Sequence, residues 1–167
     1  MTTQTRIIAS SSSRDAAALK NTKDPAFEFI VQRAARMFSA PIALISILDD
    51  RRQWFKAKVG LMPDETPLAM SFCTHAVQRD GLFKVDDTHL DARFVNNPLV
   101  TGQPGIRFYA GLPLRLPNGM RRGTLCVIDQ KPRFDFGDNH SRQLSALVDD
   151  TVRLMEQRKI EAQRLDR

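Results

Sequence analysis

Two apolar runs joined by a Pro-Asn-Gly connector constrain this chain more than any other feature. From Gly105 to Asp129 it reads GIRFYAGLPL, then RLPNGMRR, then GTLCVID. Asn118-Gly119 between such runs is a strong hairpin signal, because both residues tolerate the positive φ of a type I′ turn. The pair is therefore read as adjacent antiparallel strands, each buried enough to carry few charges. Gly111 and Pro113 leave little side chain along the first strand. Beside the aromatics Phe108 and Tyr109, that means either close packing or room for a small molecule.

The remaining elements follow from periodicity and punctuation. Asp24-Pro25 predicts a helix start, an N-cap followed by Pro at the first helical position. Phe27, Ile30, Val31, Ala34, Met37 and Phe38 then recur on one helical face until Pro41. IALISILDD predicts a strand, Asp49 to Arg52 a turn, and QWFKAKVG a second strand. In that strand Trp54, Lys56 and Lys58 alternate against Phe55, Ala57 and Val59. Leu61 to Pro67 reads as a loop, Ser71 caps a short helix through Gln78, and LFKV is a short strand.

Asp86 to Gly105 is a long connector with one helical turn expected around Asp91 to Phe94. Such a connection in a compact domain points to a functional loop or lid. Gly137-Asp138 then opens a final helix. The strand at 52–59 fits a sheet edge, and those at 42–48 and 122–128 fit the centre. Residues 1–20, with the run Ser10 to Ser13, are expected to form a flexible arm, leaving 21–167 as a single domain.

GIRFYAGLPL and GTLCVID, with SFCTHAV from Ser71 to Val77 upstream, resemble the GAF domain of bacterial signalling proteins. They are most similar to the subtype found upstream of histidine kinase or diguanylate cyclase modules. The resemblance runs from about Asp24 to Arg133 and extends into the last helix. It implies an α/β (α+β) fold with a central antiparallel sheet of about six strands. The terminal helices would cover one face, with short helices and the 86–105 connector over the other. It also implies a non-catalytic sensory module that binds a small cytoplasmic ligand and signals through its terminal helices. Two rivals remain: a small redox enzyme like the GAF-fold free methionine sulfoxide reductases, and a ligand-free dimerisation module.

Composition narrows the classes. A hydrophobic fraction of 42% and a charged fraction of 26% are ordinary for a globular protein. No apolar run approaches the roughly 20 residues that cross a bilayer, and the N-terminus lacks the pattern of a secretory signal, so cytoplasmic residence is expected. The net charge is +6, but from Arg121 onward ten Lys/Arg are interleaved with eight Asp/Glu. That is a mixed surface rather than a basic stripe, which argues against nucleic acid as a partner. Two cysteines are too few for a disulfide framework.

Candidate chemistry concentrates in few places. Cys73 and His75 lie close to a helix start, where a thiol is either activated or simply packs as a small hydrophobe. In light-sensing relatives of this fold the chromophore-bearing cysteine is followed directly by His; here Thr74 intervenes, so no bilin attachment at Cys73 is expected. Cys126 is the second sulfur, and spacing alone does not say whether the two meet. Asp86, Asp87, His89 and Asp91 could ligate a cation, but they lack the ordered donors and Gly of an EF-hand and suit turn capping better. Arg107 and Tyr109, with Phe94 and Asn96 from the connector, make a binding constellation for a small planar or anionic effector. Phe72 and Phe108 complete the candidate wall, although only one parity of Phe108 and Tyr109 can face a pocket. The cofactor, if any, is unspecified.

The last helix carries Leu144, Leu147, Val148, Thr151, Leu154 and Met155, then Ile160 and Leu165, a narrow stripe at near-heptad spacing. Its first half is expected to pack on the sheet and its second half to pair with a copy of itself in a homodimer. The chain ends on EAQRLDR, helical in character. It is read either as a sensor excised from a longer protein or as one acting on an output partner in trans.

Overall fold

A computed structural model describes residues 23–61, 63–67 and 71–165; the expected arm at 1–20 lies outside them. Six strands form one sheet: β1 (Ile42–Leu48), β2 (Arg52–Val59), β3 (Glu65–Pro67), β4 (Phe83–Val85), β5 (Phe108–Arg115) and β6 (Arg121–Asp129). Their order is β3-β2-β1-β6-β5-β4, and every pairing is antiparallel. The helices are α1 (Pro25–Met37), α2 (Cys73–Ala76), α3 (Pro98–Thr101) and α4 (Asp138–Leu165).

β1 is buried along its whole length because it has strands on both edges and side chains packed on both faces. Ala43, Ile45 and Ile47 turn to one layer, and Ile42, Leu44 and Leu48 to the other. The first layer is closed by α1 through Phe27, Ile30, Val31 and Ala34, and by α4 through Leu144, Leu147, Val148 and Met155. Each of these side chains other than Ala34 contributes about 1.5–3 kcal/mol of burial. Asp24 caps α1, its carboxylate accepting from the Ala26 amide at 3.1 Å, with Pro25 at the first position. The second layer, under α2 and the 86–105 connector, is built from aromatics and holds the candidate site.

Four expectations need correction. The Asn-Gly turn is not type I′: among Asn118 and Gly119 only Gly119 has positive φ, and the Gly119 amide donates to the Leu116 carbonyl at 2.8 Å. Pro117 fixes a negative φ at the second turn position, which a type I′ turn centred there forbids. β2 is not at the edge, because Glu65–Pro67 pairs with it as β3, in a stretch whose Pro and acid content reads as loop.

The alternation along β2 also breaks. Ile45 pairs with Ala57 and Ser46 with Phe55, so Lys56 is the extra residue of a bulge. Trp54, Ala57 and Val59 therefore pack with the helix layer, and the Lys56 ammonium lies over the Phe27 ring. Phe55 turns to the opposite layer.

Finally, the connector carries more order than the one helical turn expected around Asp91 to Phe94. The Thr88 hydroxyl donates to the Ile106 carbonyl at 2.7 Å, Asp87 pairs with Arg107, and the Gly105 and Ile106 amides donate to the Leu99 carbonyl. The expected turn is present, with the Phe94 and Val95 amides donating to the Asp91 carbonyl, and a 3₁₀ turn at Thr88–Leu90 and α3, which Asn97 caps, flank it.

Candidate functional site

Between the sheet and the end of the connector lies a partly open cavity of about 220 Å³. That is small beside the roughly 300–1,000 Å³ of drug-sized sites, so it suits a small molecule. Leu44, Phe55 and Ile128 form its floor from three neighbouring strands, while Leu99, Pro104 and Ile106 close it from the connector. Its polar lining is neutral: Gln53, Thr66, Gln103 and Gln130, with Cys73 and Tyr109 at the inner end. Gln53 is pinned at both ends of its amide. It donates to Thr66 Oγ1 at 2.9 Å and accepts from the Ser71 hydroxyl at 2.8 Å. Gln130 donates to the Pro104 carbonyl at 2.8 Å and so ties β6 to the connector.

Beside the cavity the aromatics fill the layer. Phe72 stacks on Phe94 with ring centres 4.2 Å apart and on Tyr109 at 5.3 Å, and Phe83 leans on both Phe94 and Tyr109. His75 stacks on Phe83 from the outer side, half-buried. Burial and the nearby Arg93 guanidinium hold its imidazole below the usual histidine value, against the pull of Asp91.

Tyr109 reaches further in, because Gly111, two residues on, leaves the space its ring occupies. A Cβ on Gly111 would sit 2.5 Å from the Tyr109 hydroxyl. That hydroxyl lies 3.2 Å from Cys73 Sγ, Thr124 donates to the sulfur at 3.0 Å, and Ser46 Oγ is 3.4 Å away. Burial opposes a thiolate at Cys73. Hydrogen bonding with Cys126, Ser46, Thr124 and Tyr109 outweighs it and brings the thiol down to about 6. Burial pushes Cys126 and Tyr109 well up, so Cys73 is the acidic group of the cluster.

Of the sequence-selected residues, Phe72, Cys73 and Tyr109 border the cavity. Phe94 and His75 support it from behind through the aromatic stack, and Cys126 lies deeper, against Cys73. The others are elsewhere. Phe108 faces the helix layer, where it packs on Phe136 under the Arg133 guanidinium, because its parity is opposite to that of Tyr109. Asn96 is exposed in a turn. Arg107 is engaged by Asp87, at 3.1 Å from Nε to Oδ1, away from the cavity. The cation expected for an anionic effector is thus spent on the connector. Asp91 is likewise paired, with Arg93 at 2.7 Å. Gln53, Ser46 and Thr124 were missed. Ser46 and Thr124 are single hydroxyls in apolar strands, and a buried hydroxyl needs a partner; that is the signal that could have found them.

Comparison with known proteins agrees with the fold. A relative, a cyclic di-GMP phosphodiesterase of Pseudomonas aeruginosa, is 51% identical over 115 residues, 69% of this chain. The match spans only 20% of that relative's length. Among solved structures, the blue-light-absorbing form of the PixJ GAF domain of Thermosynechococcus elongatus superposes with a TM-score of 0.67 at 15% identity, covering 95% of this chain and 96% of that one. A type II free methionine-R-sulfoxide reductase of Thermoplasma acidophilum superposes with 0.65 at 16% identity, covering 87% and 96%. At such identities these two likenesses show the fold alone. The GAF domain model itself matches residues 23–153, and the chain belongs to the GAF domain family.

Proposed function

We propose that this chain is a non-catalytic sensory module that binds a small, uncharged, largely apolar molecule in the cavity between sheet and connector. The observation that carries the reading is the lining: apolar side chains from β1, β2, β6 and the connector, with neutral amides and hydroxyls among them and the acidic Cys73 thiol as the one group titrating near neutral pH among the described lining residues. An anion placed there would be desolvated with no cation among the described lining residues to offset it, which costs several kcal/mol. A neutral ligand needs only the amides of Gln53, Gln103 and Gln130 to orient it.

The signal would leave through α4, whose N-terminal half packs on the sheet and whose last residues carry exposed apolar side chains. Ile160 and Leu165 suit pairing with the same helix of a second copy. A ligand shifts such a pair only by its differential affinity for two packings. The output proposed, in cis or in trans, is a cyclic di-GMP-turnover enzyme, by likeness to the Pseudomonas relative; a histidine kinase is the alternative output.

Native mass spectrometry of the purified protein tests the binding reading. A retained small neutral mass, released on unfolding, is the expected result. Turnover of free methionine sulfoxide by the same preparation would replace this reading with an enzymatic one.

A further inference from the structure

The sensory reading makes no use of the two sulfurs, and an independent inference rests on them. Cys73 occupies an unusual position. Its side chain points down from α2 to the sheet among the hydroxyls of Ser46, Thr124 and Tyr109, and Cys126, two residues along β6 from Thr124 and so on the same face, shares its buried cluster, yet Cys73 also borders the cavity. A sulfur buried only as a small hydrophobe would need none of these hydroxyls. Here all four neighbours can donate a hydrogen bond to a thiolate, and they come from three strands: Ser46 from β1, Tyr109 from β5, Thr124 and Cys126 from β6. The lining between the sulfur and solvent carries no charge, so a small neutral oxidant can approach it while charged reagents pay desolvation.

We propose that Cys73 is a peroxide-reactive thiol at the inner end of the cavity and that Cys126 is its resolving partner. In the first step the Cys73 thiolate attacks one oxygen of hydrogen peroxide. The S–O bond forms as the O–O bond breaks; sulfur is oxidised to sulfenic acid, and the other oxygen leaves as hydroxide, which takes a proton to become water. In the second step the Cys126 sulfur attacks the sulfenic sulfur. The S–S bond forms as the S–O bond breaks, and the departing hydroxyl leaves as water with the Cys126 proton. The sum is two thiols and one peroxide giving one disulfide and two waters. The disulfide draws α2 onto β6, and Phe72, the residue before Cys73, borders the cavity and stacks on Phe94. Oxidation thereby reaches the binding site as well as the cluster.

The test is the reduced, full chain treated with stoichiometric hydrogen peroxide, followed by intact mass and peptide mapping. The expected product is about 2 Da lighter, carries a Cys73–Cys126 linkage, and returns to the starting mass with dithiothreitol. With Cys126→Ser, Cys73 should instead be trapped as a dimedone adduct; with Cys73→Ser, Cys126 should stay unmodified. The wild-type map requires no variant to fold. Oxidation confined to methionines, a disulfide that forms only between molecules, or dimedone labelling of Cys126 in the Cys73→Ser protein would each overturn the assignment. Because peroxide reaches Cys73 through the cavity, the map is made on protein unfolded and refolded free of any retained mass, so its outcome does not depend on the cavity's ligand and the sensory reading stands or falls separately.

Discussion

Arg158 reaches back from α4 to the carboxylate that caps α1, its Nε 2.7 Å from Asp24 Oδ2 and its Nη2 3.3 Å from Oδ1. One side chain thus fastens the last helix to the start of the first, across a chain separation of 134 residues. The Arg158 hydrogen bond, with support from the Ala26 amide, holds the Asp24 carboxyl below its ordinary value against the opposing effect of burial. A carboxylate lowered in the folded state adds stability that is complete above its unfolded value of about 3.9 and is lost as pH falls through the folded value. Asn retains the cap and removes the charge. Asp24→Asn should therefore cost about 1 kcal/mol at pH 7 in urea unfolding, and the difference from wild type should fade below about pH 4.

Pairing through α4 is testable at its exposed end. Ile160 is 51% and Leu165 87% exposed, whereas Met155 is 4% exposed and belongs to the core. Ile160→Glu should shift sedimentation toward monomer with circular dichroism unchanged. Met155→Glu should lower stability by about 3 kcal/mol or more, because it buries an unpaired charge. A wild type that is monomeric at high micromolar concentration would sink the pairing.

Leu99 lines the cavity from the connector and is only partly buried. Leu99→Trp should fill the space at a cost of about 1–3 kcal/mol and abolish retention of any co-purifying mass. Retention at the wild-type level would place the ligand elsewhere.

The Cys73 cluster makes a pH prediction. A thiol lowered in the folded state contributes stability fully above its unfolded value of about 8.5. That contribution is lost as pH falls through about 6. Thiolate absorbance near 240 nm should therefore titrate around the lower value in wild type and vanish from that range in Cys73→Ser. A single transition near the ordinary thiol value would show that burial outweighs the hydroxyls.

Gly123 tests the register. A Cβ there would lie 1.7 Å from the Ser46 carbonyl oxygen, a backbone atom that cannot rotate away. Gly123→Ala should cost about 3 kcal/mol or more, read from the urea midpoint. Gly119→Ala meets nothing in space, and its cost should be confined to the positive φ, about 1 kcal/mol.

Periodicity made the helices, the two central strands and the hairpin legible, since long apolar patterns with caps leave few alternatives. β3 was hidden because three residues, one of them Pro67, carry no pattern. The bulge at Lys56 was hidden because an extra residue shows only in the register between partners. The site divided the same way. Tyr109 was readable as an aromatic beside small residues and Phe72 as part of the SFCTHAV motif, while Arg107 looked available because sequence does not reveal that Asp87, 20 positions earlier, would hold it. Cys126 was recognisable as a sulfur but not as a neighbour of Cys73, because α2 reaches β6 only through the fold.

The outermost strands, β3 and β4, are each three residues long. A foreign strand adding beyond either would find only three residues to pair with, too few to hold it in competition with water. The longer outer edges lie one strand further in, because β3 pairs only with residues 52–54 of β2 and β4 only with residues 109–111 of β5. Backbone recruitment between copies, and the misassembly that follows partial unfolding, is thereby confined to the ends of β2 and β5 that outrun their short neighbours, and the second of these carries Pro113, which has no amide hydrogen to offer.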